Sequence, residues 1–199
     1  MNFPKIAKLI IELNDADLSF REKLIKEKKL SEGYNEQMET LHIKNAEKLN
    51  EIIDEIGFPT IEKVGFDASE SAWLIIQHSI SKPDIMKKCL KLLENVVFEN
   101  KAYEKNLARL TDRINVLEEK PQLYGTQFDW DEHGELSPNV CDDFTKVNFR
   151  RLKIGLNTIE EQTKIIRTQA KNENQTVPKN LNERENEVRI WKRKVGWIN

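Results

Sequence analysis

His78 is the residue best suited to proton chemistry. It sits in the apolar run AWLIIQHSI, residues 72–80, and shares a helical face with Ser71, Leu74 and Ile75. A neutral imidazole titrates near working pH, so it can act as a general base or donate a hydrogen bond to an anion. The plainer reading is a satisfied core histidine. Gln77 lies one turn after Trp73 and can read a polar edge. Asp112, in LTDR at 110–113, is the second catalytic candidate. It either makes an ordinary surface ion pair, worth little, or orients an arginine or histidine from another helix. Arg113 flanks the stripe Leu107, Leu110, Ile114, Leu117, where its head can reach a pocket at the stripe's edge. Arg150 and Arg151 are adjacent and project about 100° apart on a helix, so only one enters a given pocket. Guanidinium offers a planar fork for carboxylate or phosphate. The alternative for the pair is a solvated basic turn.

The stretch QLYGTQFDW, residues 122–130, alternates like a strand within an otherwise helical chain. Tyr124, Thr126, Phe128 and Trp130 fall on one face; Leu123, Gly125, Gln127 and Asp129 fall on the other. A glycine inside a strand marks a bulge or a close backbone approach. Gly125 can open space beside the Gln127 amide, which donates and accepts. A bulge there would re-aim Tyr124 and Thr126. Tyr124, Gly125, Thr126 and Gln127 then form a ligand-facing rim. Alternatively a helix packs over Gly125, and Gln127 satisfies exposed backbone.

Other chemistries lack their motifs. His42 lies on a core stripe and reads as structural; His133 lies in a turn. No histidine pair has helix-ligand spacing and no cysteine cluster assists, so no transition metal is expected, while a carboxylate-bound Mg²⁺ stays open. There is neither a Gly-rich phosphate loop nor a serine nucleophile elbow.

The elements that must position these groups are nearly all helices. One runs from about Pro4 to Leu13, and Asp15 can cap a second to about Leu30, followed by a break at SEGY. A long helix to Ile56 carries Met38, His42, Ala46, Leu49, Ile53 and Ile56 at helical spacing, ended by Gly57 and Pro59. Ala68 to about Ser81, capped by Asp67 or Ser69, is the next. Helices follow from Pro83 and through Leu107–Leu117. The strand at 122–130, a turn at 131–134 and a short edge strand limited by Pro138 make one hairpin. Helix resumes over 144–152, breaks at Gly155, and continues from Thr158 to Ala170. KNENQTVPKN reads as a linker, and Leu181 to Trp197 as a last helix. The expected fold is a mainly α, multi-helix bundle with one short β-hairpin. Residues 1–171 form the helical domain, with the hairpin inserted at about 122–140. Residues 172–199 form a linker and an amphipathic helix docked on it.

Bulk properties narrow the setting. The chain has 199 residues, 38% hydrophobic and 33% charged, with a formal net charge of −2. No global field attracts nucleic acid or membrane, so electrostatic recognition must be local. Cys89 and Cys141 make no disulfide framework, and a reduced cytoplasmic compartment is expected. Lys8 and Glu12 interrupt the N-terminal apolar run, which does not resemble a signal peptide. No apolar segment approaches the ~20 residues of a membrane-spanning helix.

GFP at 57–59, VG at 64–65, AW at 72–73, QH at 77–78, LTDR at 110–113, Q-x-YGTQ at 122–127, RR at 150–151 and GL at 155–156 occur in that order. The ordered set resembles a family of bacterial proteins classed as a domain of unknown function, over roughly residues 10 to 165. Asp17 and Arg21 fit an early D-x-x-x-R element of that pattern. His42 stands where the pattern has an aspartate. Ser79-Ile80 stand where it has a small residue and an acid, which weakens a catalytic reading if that acid does chemistry. The resemblance supplies a map of positions, Arg21 among them, and no mechanism.

Two functions compete. The first is a polar pocket for a small anionic ligand containing phosphate, nucleotide or carboxylate. It would lie between helices and be closed by the hairpin. Arg113 and Arg151 would neutralise the anion, Gln77 and Gln127 would read polar edges, and His78 would donate or accept a proton. Arg21 and Arg150 are further ligand-binding candidates, and hydrolysis or transfer at a phosphate or acyl centre suits the groups best. The second is a non-enzymatic protein-interaction module whose buried polar network is structural. The tail RIWKRKVGWIN interleaves cations with Trp191 and Trp197; it reads as a docked helix and an oligomer contact. Nucleic acid ranks third, since no reading motif is present.

Overall fold

The computed structural model describes residues 2–27 and 34–199. Its chain divides into two compact units, Met1–Tyr103 and Glu104–Asn199. The boundary near residue 172 expected from the sequence coincides with the end of a helix inside the second unit. Most of the chain is helical, with one two-stranded sheet, as the periodicity predicts.

The first unit holds α1 (Pro4–Lys26), α2 (Glu36–Ile56), α3 (Ile61–Val64), α4 (Phe66–His78) and α5 (Pro83–Phe98). α1 packs on α4 and α2, and α2 on α4 and α5. Burial of Ile10, Leu49, Ile53, Trp73, Ile75, Ile76, Met86 and Leu93 makes its apolar core. Sequence reasoning expects a break after Leu13, but α1 runs through it. Asn14 and Asp15 are weak helix formers, yet Ala7, Ile10, Asn14, Asp17 and Leu24 form one buried face, and tertiary burial overrides propensity. The Asn45 side chain of α2 donates to the Leu13 carbonyl at 2.9 Å and pins the two helices where the break was expected. α2 starts where Asn35 accepts from the amides of Gln37 and Met38, and ends at Gly57 (φ 72°). The expected helix end at Leu30 and most of SEGY lie outside the described residues.

The second unit holds α6 (Glu104–Leu117), β1 (Phe128–Trp130), β2 (Leu136–Pro138), α7 (Phe144–Lys153), α8 (Ile159–Asn172) and α9 (Leu181–Val195). The strands pair antiparallel, Phe128 opposite Pro138 and Trp130 opposite Leu136. The strand expected from Gln122 onward is confined to these three residues. Gly125 has φ +60°, which ends extended backbone and turns YGTQ into a loop. The hairpin turn is closed by Asp131, whose Oδ1 accepts from the amides of His133 and Glu135. α8 opens with a capping box, Thr158 with Glu161. α9 is fastened by Arg184 to Asp129, by Lys192 Nζ donating to the Val116 carbonyl, and by buried Trp197. No described helix is long and apolar enough to cross a membrane.

The two cores differ in kind. That of the first unit is apolar with a polar cluster among α1, α2 and α4. That of the second is built around fully buried polar side chains, Asp112, Gln122 and Arg151.

Candidate functional site

In the first unit three helices each contribute one ionisable side chain to a single cluster. Asp17 from α1 places Oδ1 3.0 Å from Nε2 of His42 on α2, and Oδ2 2.5 Å from Nδ1 of His78 on α4. The two imidazole rings stack with centroids 5.0 Å apart. Asp17 and His42 are almost sealed, with side chains 2% and 7% exposed; His78, at 27%, is the open side. Tyr34 extends the network, its hydroxyl 2.7 Å from His42 Nδ1. Ser81 Oγ donates to Glu39 at 2.6 Å and lies within hydrogen-bonding reach of Tyr34.

The electrostatics follow from this packing. Burial pushes the Asp17 carboxyl up, but hydrogen bonds from His42 and His78 outweigh it and hold the group well below the usual carboxylate range. With Asp17 ionised, each imidazole presents an N–H to it. In the tautomer with Nε2–H towards Asp17, His42 Nδ1 accepts from the Tyr34 hydroxyl. Burial raises the Tyr34 phenol far above its ordinary value, so it stays a neutral donor. Three charged or chargeable groups in a mostly apolar unit are costly unless mutually paired.

Of the residues singled out in the sequence, His78, Gln77 and Arg21 belong to this unit. Gln77 is buried beside His78; Arg21 is exposed on α1, one turn beyond Asp17. Asp17, His42 and Tyr34 were not expected here. Asp17 stands out in the sequence only through D-x-x-x-R, and His42 by its place on an apolar stripe reads as structural.

The second unit gathers the other expected residues about the YGTQ loop, with their polar heads engaged by it. Asp112 is fully buried; its carboxylate accepts the amides of Leu123 (2.8 Å), Tyr124 (3.1 Å) and Thr126 (2.9 Å). Neither the surface ion pair nor the orientation of another side chain describes it. Burial raises its pKa, and the three amides oppose that. Arg151 donates to the carbonyls of Tyr124, Gly125 and Asn157 and to the Asn157 side chain. Arg150 donates to the Leu123 carbonyl and pairs bidentately with Asp142. Adjacent arginines thus both reach the loop, Arg150 at Leu123 and Arg151 at Tyr124 and Gly125. Arg113 Nε donates to Gln127 Oε1 at 3.1 Å, and Gln127 Nε2 donates to Thr126 Oγ1.

Gln122 is the residue the sequence reasoning missed in this unit. Fully buried, it donates to the carbonyls of Gln127 and Asn139 and accepts the amide of Gln127, imitating a strand partner. Gly125 suits its φ of +60°, and a Cβ there would overlap Cδ1 of Ile159, the first residue of α8, unless that side chain moved. A helix does pack over the glycine.

Comparison with curated proteins and with solved structures returns no match. One family model spans Asp17, His42 and His78 of the first cluster and the whole YGTQ network of the second unit. By this match over residues 4–171, the chain belongs to DUF6624, a family of unknown function.

Proposed function

We propose that the protein binds a small anionic molecule, carrying a phosphate, nucleotide or carboxylate group, at the Asp17–His42–His78 cluster, and that hydrolysis or group transfer takes place there. One observation carries this reading: a buried carboxylate engages two imidazoles from two other helices, and one of those imidazoles stays open at its edge. Apolar contacts fasten the rest of the unit at lower cost, so ionisable groups gathered at one point mark a candidate site. Arg21 is exposed one turn beyond Asp17 on α1, and Gln77 is buried next to His78 in the sequence of α4.

The second unit favours the architectural reading for its own polar set. Asp112, Gln122 and Arg151 spend their hydrogen-bonding capacity on loop backbone, as groups that hold a shape do.

A thermal-shift screen of nucleotides, phosphorylated metabolites and carboxylates tests the assignment. A stabilising ligand is expected to lose its shift in His78→Ala and Arg21→Ala, while Arg113→Ala lowers the melting temperature but keeps the increment. Loss of the increment in Arg113→Ala or Gln127→Ala, with His78→Ala unaffected, would move the site to the second unit and defeat this reading.

A further inference from the structure

We propose that Asp17, His42 and His78 are the protein ligands of a divalent first-row transition metal ion. This deepens the function proposed above and rests on it for the site, although metal binding can be measured without any substrate.

The donor atoms are the first argument. One ligand atom each from Asp17, His42 and His78 lies within 4.8 Å of the other two, with His42 Nε2 and His78 Nδ1 the ring nitrogens that face the carboxylate. Metal bonds of about 2.0–2.2 Å to nitrogen and oxygen put neighbouring ligands roughly 3–3.5 Å apart; the Asp17–His42 edge is already at 3.0 Å, and the 2.5 Å Asp17–His78 edge needs to open by less than about 1 Å to admit the ion. Among the described residues this is the only group of three such side chains. Two imidazoles and one carboxylate, without thiolate, are a donor set for Zn²⁺, Fe²⁺, Co²⁺ or Mn²⁺.

The surroundings are the second argument. Metal-bound histidines commonly use their other ring nitrogen on an outer partner, which orients the ring. His42 has this partner in place: with Nε2 towards Asp17, its Nδ1 faces the Tyr34 hydroxyl at 2.7 Å. On metal binding Nδ1–H would donate to the Tyr34 oxygen. Tyr34 lies in turn within hydrogen-bonding reach of Ser81, which donates to Glu39, so the orienting chain does not end at the ring.

The third argument is shape. Two of the three ligands are sealed and the third is about one quarter exposed. Three protein ligands with one accessible side are the arrangement of a metal centre that keeps a coordination position for water or substrate, whereas a structural centre is closed on all sides. A cation here would also supply the charge that an anionic ligand needs. The sequence hides the site because Asp17 lies 25 residues from His42 and 61 from His78. No short spacing joins them; three helices do.

The experiment uses the full chain, stripped with a chelator and dialysed, then titrated with Zn²⁺ by calorimetry, with metal content measured by mass spectrometry. One equivalent is expected. His78→Gln, chosen because its side chain is partly exposed and the helices should persist by circular dichroism, is expected to lower affinity at least 100-fold. Tyr34→Phe is expected to lower it about 10- to 100-fold. Co²⁺ loading should give visible d–d bands that change in His78→Gln. Sub-stoichiometric binding, or equal affinity in wild type, His78→Gln and Asp17→Asn, would overturn the proposal. The two readings fail separately. A ligand shift in metal-free protein, together with sub-stoichiometric Zn²⁺, removes the metal and keeps the anion site. Stoichiometric metal with no ligand shift in the loaded protein does the reverse.

Discussion

At the scale of single residues, side chains that look alike in the sequence have different work. Asp17 and Asp112 are both buried acids, but one holds two imidazoles and the other holds three backbone amides. Only the first arrangement leaves a chemically versatile group near solvent. Gly125 illustrates a residue chosen for what it lacks. Alanine there would meet both a left-handed φ and the Cδ1 of Ile159. Gly125→Ala is therefore expected to cost about 2–4 kcal/mol in denaturant unfolding, combining backbone strain with overpacking. Ile159→Val removes the overlapping methyl. In that background the glycine substitution should cost about 1 kcal/mol less, leaving the φ penalty. Equal costs in both backgrounds would show that the overlap relaxes freely and that strain alone makes Gly125 necessary.

At the scale of elements, local signals and tertiary contacts divide the outcome. The start of α8 is written locally: Thr158 accepts from the Glu161 amide, and the Glu161 side chain accepts from the Thr158 amide. Thr158→Ala is expected to destabilise the second unit by about 1 kcal/mol, seen as a shift of the unfolding midpoint without change in slope. A change below the error of the measurement would mean that Ile159, buried beneath the cap, sets the helix start by packing. α1 shows the opposite balance. Its middle carries Asn14 and Asp15, which argue locally for a stop, yet the helix continues because Asn14 and Asp17 share its buried face with Ala7, Ile10 and Leu24, while Asp15 stays exposed. The YGTQ segment likewise alternates as a strand but bends, since Asp112, Gln122 and Arg151 supply the partners that a neighbouring strand would have given.

At the scale of the whole molecule, charge is nearly balanced. Thirty-two basic and 34 acidic side chains give a formal net charge of −2 and an isoelectric point near 6.0. Recognition of an anion must come from local groups, such as Arg21 or a bound cation. Balanced charge also removes the repulsion that keeps proteins apart. Solubility is expected to pass through a minimum near pH 6 and to rise by pH 8, measured by light scattering at low salt. A minimum displaced by more than a unit would indicate that buried ionisable groups alter the folded protein's charge substantially.

The sequence by itself determined the helical class, the single hairpin, most helix limits after residue 35 and the two segments around QH and YGTQ that repay attention. These are encoded in short-range periodicity, caps and glycines, so a local reading reaches them. Only the tertiary structure decided that α1 is unbroken, that Gln122 stands in for a strand, and that Asp17, His42 and His78 meet. Those outcomes depend on which helical faces pack together. The energy of that packing exceeds local preference, and it joins residues that no spacing rule connects.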